Sequence, residues 1–253
     1  GRSSFSETTI TDQTLTSDMV IEQIYQPGSG LPVGKIESVR GEAIVFHRNP
    51  TVGYAIQTGL PLYAGDILRT RESAWIFCRL IDGSHMVLTP QTTLTIVQSS
   101  YNSSRKISIT FLDLEHGSAR FKMRPMPDLS SHDYKVQTEA AIIQAREGDF
   151  VVQATPQATE IVAFENSRLE ATGRTHPEEV IFLSDFQRTT VSEAIISPTV
   201  EPLSRKDIEL MTTDFPKAPA GTLAAAGPKG EGPHPSAGDT LLEEDIADPQ
   251  LSE

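Results

Sequence analysis

Short apolar segments recur from Val33 to about Val191, broken at Gly41, Asn49-Pro50, Gly53, Gly59, Gly65, Gly83, Pro90, Asn102, Gly117, Gly148, Pro156 and Gly173. A spacing of roughly 8 to 12 residues between turn signals predicts many short strands. Trp75, Phe77 and Arg79 alternate against Ile76, Cys78 and Leu80, so the second set points to one side of a strand. Ile107, Ile109 and Phe111 share a face, after which Leu112 and Leu114 fall out of phase, as a bulge would cause. Gly117 to Arg124 gives the cleanest alternation. There Ala119, Phe121 and Met123 are expected to face a core, with Ser118, Arg120, Lys122 and Arg124 on the other side. Asp82-Gly83 carries the signal of a two-residue type I′ hairpin. The predicted fold class is all-β, a sandwich- or solenoid-like module with short peripheral helices.

The flanks differ from this middle. Residues 1–32 are expected to form a partly helical arm. Thr16, Ser17 and Asp18 serve as caps, and Val20, Ile21, Ile24 and Tyr25 lie at helical spacing. Residues 33–191 form the β domain. Residues 192–213 form a short helical extension, in which Ser204 and Asp207 stand at capping-box spacing. Residues 214–253 are a Pro, Ala and Gly-rich linker with an acidic tail, expected to be disordered. Leu241, Leu242 and Ile246, set among acidic residues, form a candidate partner-binding peptide within it.

Charge narrows the function classes. The formal net charge is −13, and residues 201–253 hold 11 acidic and 4 basic residues. An acidic chain without a basic footprint argues against nucleic acid as a partner. Against that background Arg120, Lys122 and Arg124 on one strand face suggest an anion-preferring dock. The single cysteine, Cys78, allows no internal disulfide and reads as a buried thiol. No apolar run reaches the ~18 residues of a membrane span. The chain begins at Gly1 and not Met, which fits removal of a signal peptide, an anchor or a tag.

Catalytic signals are weak. The six histidines have no zinc-site spacing, and Ser130, Ser131, His132 and Asp133 are neighbours in sequence, which is not triad geometry. No phosphate-cradling glycine loop or nucleophile elbow is found. The chain is therefore expected to be non-enzymatic, with no catalytic, cofactor-binding or metal-binding residues and no cofactor.

Several segments together resemble the bacterial FecR-domain family. Residues 34–43, with Gly41 at the turn, look like its opening strand-turn-strand. Gly65, Asp66 and Thr70, followed by Asp82, Gly83 and Ser84, are similar to its core pattern. Gly117 sits where the family has a Gly-centred strand. Arg146, Asp149 and Phe150 match a later segment, while Gln144 and Glu147 replace its usual glycines. The resemblance covers about Val33 to Val191. It implies that these signature residues define a fold and mark no active site. It also implies a bacterial, exported protein, periplasmic or extracellular, that binds envelope proteins or itself. The founding members' role, the periplasmic sensor part of a transmembrane sigma-factor regulator responding to an outer-membrane transporter, is the alternative. A cell-wall or carbohydrate-binding module ranks lower, with Trp75 as its candidate platform.

Overall fold

A computed structural model of the chain describes residues 20–22, 24–47, 51–126, 131–194 and 198–215. The first half of the domain contributes β1 (Val20–Glu22), β2 (Gly34–Arg40), β3 (Ala43–His47), β4 (Val52–Ala55), β5 (Pro61–Leu62), β6 (Asp66–Thr70), β7 (Trp75–Leu80), β8 (His85–Leu88) and β9 (Thr93–Asn102). The second half contributes β10 (Ile107–Lys122), β11 (Ser131–Gln137), β12 (Ala141–Glu147), β13 (Asp149–Ala154), β14 (Ala158–Ala163), β15 (Arg168–Gly173), β16 (Val180–Leu183), β17 (Gln187–Ser192) and β18 (Glu201–Pro202). One helix, α1 (Arg205–Asp214), follows. The all-β reading holds.

The strands form two sheets joined through β10. One runs β1-β4-β3-β6-β9-β10-β11-β12-β15-β16. The other runs β5-β2-β7-β8-β10-β13-β14-β17-β18. Only β1–β4 and β10–β11 are parallel among the described pairings. The inward residues of both sheets merge into one apolar cluster, including Ile36, Leu68, Ile76, Cys78, Leu94, Phe121, Ile143 and Ile161. Burial raises the Cys78 thiol far above its ordinary range, with the Glu37 carboxylate adding to the effect.

β10 explains why its alternation breaks. In its first half Ser108, Thr110, Leu112 and Leu114 face inward; in its second half Ala119 and Phe121 do. The inward parity changes between Leu114 and Ala119. A register shift between Leu114 and His116 and the bend at Gly117 carry the strand from one sheet into the other. The ladder also has the irregularity expected at Phe111–Leu112, but its extra residue is not on β10. That shift falls on the partner strand, where Val97 is the extra residue between Ile96 and Gln98. Ile107, Ile109 and Phe111 are on the outer face, because the inward positions opposite them hold polar groups that bond to Asp82.

Two local expectations change and one stands. The segment read as a helix around Val20 instead supplies strand β1, whose backbone bonds to β4; the proposed caps at Thr16 to Asp18 lie outside the described residues. Helical spacing in so short a segment does not outweigh an available sheet edge. The Asp82-Gly83 turn is a three-residue loop in place of a type I′ turn. Leu80 N–H donates to Ser84 O and Gly83 N–H to Leu80 O; Gly83 has φ +87°, whereas Asp82 is not left-handed. This is a turn closed by a left-handed glycine. Ser204 caps α1 as read, with the full capping box: Asp207 N–H donates to Ser204 Oγ, and Ser204 N–H donates to Asp207 Oδ2. The Ser204 bonds hold the Asp207 carboxyl below its ordinary range.

Candidate protein-binding surfaces

The signature residues sit at strand ends and are committed to hydrogen bonds there. Asp66, buried, accepts the Tyr63 N–H at 2.8 Å through one carboxylate oxygen and meets His47 Nδ1 at 2.7 Å through the other. Thr70 Oγ1 donates to Thr89 O at 2.6 Å and accepts the Thr92 N–H at 2.8 Å, which pins the β8–β9 turn. Asp82 Oδ1 accepts the Ser84 N–H at 2.8 Å, while its Oδ2 faces the hydroxyls of Ser108 and Thr110 at 3.4 Å. Gly41 packs against Ala74 at the β2–β3 turn, and Gly65 donates its N–H to Ile96 O. Phe150 is fully buried in a ring cluster with Phe121 and Tyr134. Arg146 differs: it is exposed and meets Glu170 at 3.7 Å. Glu147, at a family glycine position, lies at a register shift and faces Arg168 at 3.4 Å.

The three basic residues of the second half of β10 do not stand as equal free charges. Arg120 donates to both carboxylate oxygens of Asp149, at 2.7 and 2.9 Å. Its guanidinium also lies 4.8 Å from the Phe164 ring centre. β10 and β13 are neighbours with Arg120 opposite Val151, so this pair stitches the two strands on their outer face. Lys122 is exposed and only grazes Asp149, at 3.8 Å. Arg124 lies past the strand end and covers the Gly83 turn.

The same outer face carries a second apolar patch that the sequence reading did not locate. Val151, Val162, Phe164 and Phe215 are buried there, with Trp75, Val87, Leu203, Ile208 and Met211 packed around them. Helix α1 thus lies across the sheet, and Phe215 meets Trp75 edge to face at 6.4 Å. Beside the helix a groove of about 310 Å³ is lined by Trp75, Pro90, Val151, Gln153, Glu160 and Met211, among others. Trp75 is accordingly half-buried under the helix and does not form an open stacking platform. The signal was present: Trp75, Val87, Val151 and Val162 are apolar at outward positions of neighbouring strands.

Tyr25, Tyr54, Tyr63 and His47 form a ring cluster over Asp66, with centroids 5.4 to 5.7 Å apart. Tyr25 Oη donates to Pro61 O, which anchors the arm to the domain. Burial, followed by Tyr63, Asp66 and Tyr54, pushes the Tyr25 phenol up to about 12. His132, beside Asp133, is half-buried on β11 and pairs in register with Ser108. No group of three or more metal-ligating side chains occurs among the described residues. Ser130, Leu241, Leu242 and Ile246 lie outside the described residues. Among the described residues no helix is long and apolar enough to cross a membrane.

A repeated turn was also missed. Thr138-Glu139-Ala140-Ala141 and Thr155-Pro156-Gln157-Ala158 close the β11–β12 and β13–β14 pairs with threonine at the first position, and Thr89-Pro90-Gln91-Thr92 carries the chain from β8 in one sheet to β9 in the other. Thr138 Oγ1 accepts the Ala141 N–H and Thr155 Oγ1 accepts the Ala158 N–H, the same bond 17 residues apart. The T-P-Q-[TA] recurrence is visible in the sequence.

Residues 66–167 match the model of the family described as FecR protein. Two solved structures, both described as a candidate anti-sigma factor from Parabacteroides distasonis, align with part of the chain. One aligns at 14% identity and a TM-score of 0.45, covering 58% of this chain and 64% of that one. The other aligns at 16% identity and 0.46, covering 58% and 63%. The chain thus spans less than two thirds of those structures' length. No curated protein matches.

Proposed function

From a FecR-type domain at residues 66–167, we propose that this chain is a non-enzymatic protein-binding module of the bacterial envelope, acting outside the cytoplasm. The observation that carries this reading is the employment of the signature residues. Asp66, Thr70, Asp82 and Ser84 are buried and bonded to turns and neighbouring strands. What remains for contact is surface: sheet edges, the outward cations of β10 and the face beside α1. Lys122 and Arg124 are the members of the basic set available to an acidic partner; Arg120 contributes by holding its strand in place. Pull-down from the native envelope, after mild crosslinking, is expected to recover a stable assembly. A free monomer with nothing co-purifying would overturn this reading.

The family match favours a second reading, the sensor part of a regulator that acts on a sigma factor. The complete reading frame tests it. An upstream helix of ~20 apolar residues preceded by a charged cytoplasmic segment supports the sensor. A cleavable signal peptide supports the exported module.

A further inference from the structure

Strand β16 ends the first sheet. Among the described residues it pairs with β15 alone, and no described strand meets the backbone donors and acceptors of its other side. Natural edges are blunted by proline, charge or bulges. The edges of the second sheet follow that rule, since β5 contains Pro61 and β18 consists of Glu201 and Pro202. β16 does not: its sequence is Val-Ile-Phe-Leu, with no charge, proline or bulge. Ile181 and Leu183 point into the core, whereas Val180 and Phe182 are 45% and 67% exposed on the outer side. Phe182 stands opposite Glu170 on β15, so it has little apolar cover of its own.

We propose that β16 is a strand-addition site that takes an extended segment of a partner protein, apolar at alternate positions and basic at its ends. The backbone of β16 supplies the ladder, and the partner's apolar side chains cover Val180 and Phe182. The charge requirement comes from the flanks, where Glu178 and Glu179 precede the strand and Asp185 follows it; Glu170 beside it is already faced by Arg146 at 3.7 Å, and Glu178 by His176 at 3.4 Å. The same charges argue against a second copy. Antiparallel self-pairing would set Glu178 and Glu179 of one chain near Asp185 of the other, and like charges across strands are unfavourable. The inference deepens the protein-binding reading and rests on it.

The test uses the full chain and two synthetic peptides, KVTVTVK and EVTVTVE, read by fluorescence anisotropy and amide hydrogen exchange. The basic-ended peptide is expected to bind about tenfold more tightly than the acidic-ended one, because opposite charges across strands are favourable and like charges are not. It should slow exchange at residues 180–183 and lose affinity at high salt. Phe182→Lys, an exposed change on the edge, should abolish this binding while leaving the melting transition in place. Equal binding of both peptides, or protection elsewhere, overturns the proposal. So does protection, in the free chain, of the β16 amides that face away from β15, which would mean that this chain's own residues or a second copy already cover them. If Phe182→Lys recovers the same envelope partners as the original chain, the edge assignment fails while the protein-binding reading stands. If the original chain recovers none, that reading fails first.

Discussion

Replacing Gly117 by alanine should be among the most damaging single-methyl additions in the domain. Gly117 has φ +94°, and a Cβ there would run into Thr92 Oγ1 and lie 2.6 Å from Gln91 O. Both obstacles belong to the β8–β9 turn, which Thr70 holds by two hydrogen bonds, so it cannot easily withdraw. The left-handed backbone costs an alanine roughly 1–2 kcal/mol, and forcing atoms into a packed site costs roughly 1–3 kcal/mol. Stiffening the unfolded chain offsets about 0.4–1 kcal/mol of this. The net loss is roughly 1–5 kcal/mol, with the middle of the range about 3 kcal/mol. Gly59 is the control, since it has φ +89° but nothing within 4 Å of the Cβ position. Gly59→Ala should therefore cost only the backbone term less the offset, roughly 1 kcal/mol. Urea unfolding of the two variants and the parent measures both values, and Gly117→Ala should lower the midpoint by about 1 M. If the two variants lose the same stability, the clash with the β8–β9 turn does not hold Gly117 in place and the crossover argument fails.

Phe215→Ala should loosen α1 from the sheet and shift the emission of the only tryptophan, Trp75, to longer wavelength, at a cost of about 2–4 kcal/mol. An unchanged spectrum would mean the helix does not cover Trp75 in solution. Arg120→Glu should destabilise the fold by about 1–3 kcal/mol because it sets a carboxylate against Asp149, while Lys122→Glu should leave the melting temperature nearly unchanged. Similar melting for the two would return Arg120 to the free basic face. Gly83→Val should cost more than ~1 kcal/mol by calorimetry, since a β-branched residue is disfavoured at φ +87° and would press on Arg124. Burial holds the His132 imidazole below its ordinary 6.5, against the opposing pull of Asp82 and Asp133. The unfolded chain then takes up its proton first, so stability should fall as pH drops below about 6.5. Denaturation from about pH 7 to pH 5 should give a steeper loss for the parent than for His132→Gln, and equal slopes would refute the assignment.

The sequence alone determined the β class, the strand-end turns and the cap of α1. These depend on residues close in the chain: alternation fixes which side faces a core, and a glycine or aspartate at a turn acts on its own neighbours. Ser204 with Asp207 and Asp82 with Ser84 were legible for this reason. Contacts between distant segments were decided only by the tertiary structure. The pairing of Arg120 with Asp149 depends on β10 lying beside β13, which no local pattern encodes. The same holds for Trp75 under α1 and for the polar inward positions of β10, which are satisfied only because Asp82 arrives from another hairpin. Val20 to Glu22 went to a strand because a sheet edge was open next to it, a condition that residues 20–22 cannot state. The candidate site follows the same division. The β pattern made β16 visible as a strand, but that it ends its sheet, uncovered by any other described strand, is a property of the assembled order.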